Sequence, residues 1–233
     1  CGETEKATAV LKRRKFHPWE GGEGKITGQF ILNQLLQAWQ AIDAHHPARA
    51  ELLLTAALRY PENLSEGRLP GQTDNDIWFW LGVCARLQRD EAQAQAAWQK
   101  AAQGDRTLNV HSYYNDQPAD YLFWQGMALR MLGDNVAADA LFTDMAQWAA
   151  NMLHAPVEAD FFAVSQPDLL SLYGSLQQQH QEKCLYIQAL SAAGMGDEYQ
   201  WNQASAALTT LNPAWPKAAL FSRVMSYVLH LIH

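Results

Sequence analysis

Cysteine, positive charge and long apolar runs are all scarce in this chain of 233 residues. Its three cysteines, Cys1, Cys84 and Cys184, give neither a paired framework nor a C-x-x-C spacing. That argues against a disulfide scaffold and against a structural zinc site. With 17 Lys+Arg against 24 Asp+Glu, the formal net charge is −7. A sequence-independent nucleic-acid binder needs a basic field, so that class is set aside. No apolar run approaches the roughly 20 residues that cross a bilayer. The most apolar stretch, Val224 to Ile232, is short and contains Ser226 and His230. Met and an apolar leader are missing from the start, where Cys1-Gly2 runs directly into a helical pattern. That start reads as a cut inside a larger protein. A mature lipoprotein also begins on Cys, but with a flexible tether ahead of its fold. The expected location is cytoplasmic.

Apolar side chains, by contrast, are plentiful: 48 % of residues, with 9 Trp, 8 Tyr and 8 Phe. That suffices for the core of one elongated domain or of two small ones. A repeat organises them. Trp78-Phe79-Trp80-Leu81-Gly82 is followed by Arg89-Asp90-Glu91, then Ala94, Trp98 and Ala101. This resembles the tetratricopeptide signature, a helix carrying an aromatic and a Leu-Gly pair, a short turn, and a second helix. In the second helix a small residue precedes an aromatic by four positions. Small residues let two antiparallel helices approach, and the bulky one fills the groove between them.

Gly126, Asp134, Ala138 and Phe142 repeat the spacing of Gly82, Asp90, Ala94 and Trp98. Ala38, Ala50 and Leu54 keep part of it, closed by Pro61; Ala189, Asp197, Trp201 and Ser205 form a degenerate copy closed by Asn212-Pro213. Gly2-Glu3, Ala7 and Leu11 read as the second half of a further copy. The anchors at 7, 50, 94, 138 and 201 lie 43, 44, 44 and 63 residues apart, against about 34 for a plain tetratricopeptide unit. Each unit therefore carries an insertion. The expected fold is all-α, an α-solenoid of tetratricopeptide-like helix pairs with long inter-repeat loops. Its parts are a partial repeat at 1–16, repeats at 29–60, 75–104, 119–150 and 180–212, and a C-terminal helix at 213–233.

Four segments break the helical pattern: Lys15 to Gly28, Pro61 to Asp76, Asp105 to Pro118, and Asn151 to Leu170. They are rich in the Gly, Pro, Asn and Asp that fix turns, yet they also hold aromatics and paired polar groups. In a solenoid, equivalent loops line one edge. The stretches Lys15-Phe16-His17-Pro18-Trp19-Glu20-Gly21-Gly22-Glu23-Gly24, Tyr60-Pro61-Glu62-Asn63-Leu64, Tyr113-Tyr114-Asn115-Asp116-Gln117-Pro118 and Asp160-Phe161-Phe162-Ala163-Val164-Ser165 are similar to those of one group of large bacterial proteins. In that group an N-terminal galactose-mutarotase-like β-sandwich precedes C-terminal tetratricopeptide repeats. The resemblance covers the repeat half only. It implies a carbohydrate-related setting, and no catalytic residue is carried over from it.

Each loop admits two readings. His17, Trp19, Glu20 and Glu23 offer a flat aromatic face and acceptors suited to a sugar; alternatively Trp19 staples the loop to the helices. Tyr113, Tyr114, Asn115 and Asp116 either face a ligand or form a turn that caps the helix starting near Asp120. Glu62, Asn63, Glu66 and Arg68 either bind a polar ligand, with Arg68 as a carboxylate clamp, or form an internal network that shapes the loop. Asp160, Phe161, Phe162 and Asp168 read most simply as a loop buried by its phenylalanines.

Sharper motifs fail. Gly21-Gly22-Glu23-Gly24-Lys25-Ile26 lacks the glycine spacing of a phosphate loop and has Ile26 where Ser or Thr belongs. His45-His46-Pro47 sits at a helix–helix turn without the spacing of a zinc helix. No metal or cofactor is expected. Glu20 and Glu23 form an acid/base pair only if their separation suits glycoside chemistry, which a sequence does not give. Cys84 lies on an apolar helix face and reads as an inert core thiol. Lys12-Arg13-Arg14-Lys15 reads as a solvated helix end. Trp39, Trp78, Trp80, Trp98, Trp124, Trp148 and Trp201 fall on helices and are expected in the core. The apolar stripe Leu220, Val224, Tyr227, Val228 and Leu231 reads as a capping helix or a contact surface. The leading expectation is a non-catalytic interaction domain, docking its own N-terminal domain or another protein, with no nucleic-acid or membrane partner. The alternative is that the loops contribute to a carbohydrate-binding or glycoside-processing site.

Overall fold

A computed structural model describes residues 3–17, 22–108, 117–157 and 175–215, together with Tyr227. Every regular element among the described residues is helical, as the sequence predicts for an all-α chain. The elements are α1 (Thr4–Arg13), α2 (Lys25–Asp43), α3 (Pro47–Ala57), α4 (Asn75–Leu87), α5 (Glu91–Ala101), α6 (Tyr121–Met131), α7 (Asn135–Met152), α8 (Leu176–Met195) and α9 (Glu198–Leu211). A single 3-10 turn, Glu62–Leu64, stands between α3 and α4. Two compact units divide the chain, Cys1–Gly104 and Asp105–His233.

In the first unit α1 packs on α2, α2 on α3, α3 on α4 and α4 on α5. Leu-, Trp- and Ala-rich faces drive this: Trp39, Trp80, Trp98 and Phe79 are wholly buried, beside Ala38, Ala50, Leu54, Ala94 and Ala101. Trp39 and Trp80 lie tilted against each other with centroids 5.1 Å apart. Trp78 is half-buried instead, with the Lys100 ammonium 4.0 Å above its ring. In the second unit α6 packs on α7, α7 on α8 and α8 on α9, with α6 also touching α8. Among the described residues Phe123, Phe142, Leu122, Met127 and Met145 are its largest fully buried side chains.

Four helix pairs turn in one and the same way. The residue before each N-cap has left-handed backbone: His45 (φ 58°), Arg89 (φ 65°), Gly133 (φ 88°) and Gly196 (φ 72°). The next amide reaches back five residues in every case. His46 bonds Ala41 O, Asp90 Ala85 O, Asp134 Leu129 O and Asp197 Ala192 O, all at 2.8 to 2.9 Å. This is the Schellman closure, which satisfies carbonyls the first helix leaves open. In three of the four turns the N-cap is Asp, accepting an amide three residues on: Asp90 from Gln93 (3.0 Å), Asp134 from Ala137 (3.1 Å) and Asp197 from Gln200 (3.0 Å). The first turn replaces Asp with His46 followed by Pro47, whose missing N–H removes one orphan donor.

Small residues sit under rings at these pairs. A Cβ added to Gly82 would lie inside the Trp98 indole, and one added to Gly126 would lie 2.5 Å from the Phe142 ring. A Cβ added to Gly194, on α8, would also lie 2.5 Å from that same Phe142 ring. The Trp98 indole also donates to Phe79 O at 3.2 Å, which locks the ring in place.

Two of the four left-handed positions are not glycine, and an L side chain there costs about 1 kcal/mol. His45→Gly and Arg89→Gly are therefore expected to raise stability by about 0.5–1 kcal/mol each in urea unfolding. Gly133→Ala and Gly196→Ala should lower it by a similar amount. A loss of stability on Arg89→Gly would contradict this account of the turn.

Candidate functional site

The first two insertions meet in the first unit. Leu11, Phe30 and Leu64 form a small buried cluster, with Phe16, Ile26, Ile31 and Tyr60 packed against it. Leu64 enters through the 3-10 turn, which places its neighbour Asn63 beside the end of α1. There the Asn63 amide donates both hydrogens, to Leu11 O and to Arg14 O, each at 2.6 Å. Its own carbonyl accepts from Phe16 N at 2.9 Å. The last carbonyls of a helix have no partner within it, so one side chain from the second insertion closes α1 and ties down the first insertion.

Glu66 and Arg68 continue this network. The buried Thr27 hydroxyl donates to Glu66 at 2.8 Å. Arg68 forms an ion pair with Asp74, whose side chain is 1 % exposed. The same guanidinium donates to Leu58 O (3.2 Å), at the end of α3, and to Gln72 O (3.3 Å). Gln72 Nε2 in turn donates to Asp74 Oδ1 and to the Tyr60 hydroxyl, both at 2.9 Å. Asn75 does for α5 what Asn63 does for α1, donating to Ala101 O (2.7 Å) and Gln103 O (2.6 Å).

Of the residues singled out in the sequence, Asn63, Glu66 and Arg68 thus spend their polar groups inside the loop network. His17, Glu23 and Glu62 are exposed. Trp19 and Glu20 lie outside the described residues, as do Tyr113, Tyr114, Asn115, Asp116, Asp160, Phe161, Phe162, Asp168 and, except for Tyr227, the C-terminal stripe. Sequence reasoning passed over Gln72, Asp74 and Asn75. Their signal is an Asp-Asn pair just ahead of the apolar run from Ile77, the place where a helix N-terminus needs acceptors.

The second unit uses the same device at its loop bases. Asp105 O accepts from Gln117 (2.8 Å) and from the buried Gln125 (3.2 Å). The Thr107 hydroxyl (2.8 Å) and then its amide (3.0 Å) hold the Asp105 carboxyl below the ordinary Asp range. Gln177 bonds both ways to the segment after α7, through Val157 N (3.0 Å) and Ala155 O (2.9 Å). His180 meets Met152 O at 2.7 Å, near the end of α7, with Cys184 Sγ 3.7 Å from its Nε2.

Among the described residues no group of three or more His, Cys, Asp or Glu is arranged to hold a metal. No helix there is long and apolar enough to cross a membrane. No family model matches the chain, and no solved structure matches it.

Neither buried thiol is poised for chemistry. Burial pushes Cys84 up to about 12, helped by the negative Glu51, and pushes Cys184 up to about 11. At pH 8 both are expected to resist iodoacetamide until the chain unfolds, read by mass spectrometry of their peptides. The folded state prefers the neutral thiol, so its contribution is complete below the ordinary value of 9.0. It fades as pH rises towards 12 and the unfolded chain ionises first. Rapid labelling of folded protein at Cys84 would contradict its placement.

Proposed function

We propose that this chain is a non-catalytic docking domain, an α-solenoid of tetratricopeptide-like helix pairs with long inter-repeat insertions. One observation carries the reading, the recurrence of a single turn at positions 45, 89, 133 and 196. The intervals, 89 − 45 = 44, 133 − 89 = 44 and 196 − 133 = 63, match those of the anchors in the sequence. Helix pairs repeated in this way serve mainly as binding surfaces, because each unit adds area without adding chemistry. The engagement of Asn63, Glu66 and Arg68 with backbone and buried partners favours a loop-holding role for them over catalysis. The partner is the protein's own N-terminal domain, of the β-sandwich type that the loop motifs resemble, or another protein.

The test is to express this chain with whatever precedes it in its reading frame, the two parts carrying different tags. Co-purification, with a rise in the melting temperature of this chain, is the expected result. No association and no change in melting would overturn intramolecular docking. Glycan-array binding that is lost in Trp19→Ala would shift the reading to a carbohydrate site.

A further inference from the structure

The end of α1 carries four consecutive cations, Lys12, Arg13, Arg14 and Lys15, and all four are exposed. Their setting differs from that of a fraying helix end. Helix α1 stops at Arg13, and Arg14 is already extended (φ −90°, ψ 142°). From there the backbone is held on both sides: Arg14 O accepts from Asn63 at 2.6 Å, and Phe16 N donates to Asn63 O at 2.9 Å. Lys12 and Arg13 sit where a helix dipole favours cations. Arg14 and Lys15 lie beyond that turn, so the dipole does not account for them. Ion pairs in the first unit join Lys6 to Glu3, Arg68 to Asp74 and Arg86 to Glu91, and none among the described residues involves the run. One carboxylate, the exposed Glu62, stands next to Asn63.

We propose that this run is the docking point for a short acidic peptide segment. The backbone of the run is already held and needs no further ordering on binding, and two of its cations are Arg, which grips carboxylates in a bidentate fork. Val10, 48 % exposed two residues before Lys12, adds an apolar contact beside the charges. A short segment is favoured over a long polyanion by the rest of the chain. Without the run, 13 Lys+Arg face 24 Asp+Glu, a balance of −11. A nucleic acid or an anionic membrane extends well past the screening length of about 8 Å and meets that opposing charge. A peptide of a few residues, about 20 Å long when extended, meets far less of it. The inference does not rest on the tetratricopeptide reading, since it uses only α1 and its tether to Asn63.

Fluorescence anisotropy of a fluorescein-labelled hexaglutamate peptide tests it on the whole chain. Changing Lys12, Arg13, Arg14 and Lys15 together to Gln is expected to weaken binding by at least about tenfold, since each exposed pair removed is worth up to about fivefold. A second variant changes Lys25, Arg49, Arg59 and Arg106 to Gln, four exposed cations elsewhere, and alters net charge equally. It should weaken binding less than about threefold. Far-UV circular dichroism confirms that both variants remain helical. Absence of peptide binding, or an equal loss in both variants, would overturn the proposal. So would tighter binding to oligo-dT or to phosphatidylserine vesicles than to the peptide.

Discussion

Gly126→Ala is expected to destabilise the protein by about 2–4 kcal/mol, a large effect for one methyl group. The methyl would sit 2.5 Å from the Phe142 ring, which is wholly buried. That ring has nowhere to retreat. Gly194 approaches it equally closely from α8, Phe123 lies 6.0 Å away between centroids, and the Arg130 guanidinium covers it at 5.4 Å. Trimming the ring should relieve the clash. Phe142→Leu alone opens a cavity and costs about 1–2 kcal/mol. In the Gly126→Ala background it should cost nothing or restore stability, a coupling of at least about 1 kcal/mol in a double-mutant cycle. Costs that add to within about 0.5 kcal/mol would show that the methyl and the ring do not meet. Gly82→Ala with Trp98→Phe is the same experiment in the first unit.

The second large effect concerns the loop network. Arg68→Ala is expected to cost about 2–3 kcal/mol, because it strands the Asp74 carboxylate, 1 % exposed, without its cation. The Arg68 side chain is itself 30 % exposed, which holds the figure below that of a fully buried pair. It also removes donors from Leu58 O and Gln72 O. Asp74→Asn placed on top of Arg68→Ala should return about half of the loss, since an amide tolerates burial better than an unpaired charge. Urea unfolding of the two single variants and the double variant reads this directly. If Arg68→Ala costs less than about 0.5 kcal/mol, Arg68 is not a clamp and is free to meet a ligand.

The helix pairs were legible wherever packing wrote itself into residue size. Gly82 with Trp98 and Gly126 with Phe142 lie eight residues to either side of an Asp, and the structure brings each pair into contact. The turns between them were only half legible. Gly133 and Gly196 announce left-handed backbone, but His45 and Arg89 adopt it with no such signal. The contact of Gly194 with Phe142 escaped for another reason. It joins one helix pair to the next, and no fixed offset from the Asp cap leads to it. Loop chemistry was harder still. The residue types at Asn63 and Arg68 suit a ligand or a helix end equally well, and the choice depends on which carbonyls lie nearby in space. Asn63 finds Leu11 and Arg14, about fifty residues back along the chain, through a fold that no local pattern encodes.

Insertions of this length usually cost order unless something holds them. Here Asn63, Arg68, Asn75, Gln125 and Gln177 each close a helix end or a loop base by donating to backbone carbonyls. Of the polar residues that look most like a site, Asn63, Glu66 and Arg68 are fastenings of the second insertion. His17, Glu23 and Glu62, by contrast, are exposed.

The most direct test of the repeated helix pair is a nuclear Overhauser spectrum of the folded chain. Small-on-large packing predicts cross-peaks from the Gly82 Hα protons to the Trp98 indole, and from both Gly126 and Gly194 Hα protons to the Phe142 ring. All three sets of Hα resonances should be shifted by ring currents. Absence of the Gly82–Trp98 and Gly126–Phe142 peaks from a well-dispersed spectrum would contradict the helix pairing on which the whole reading stands.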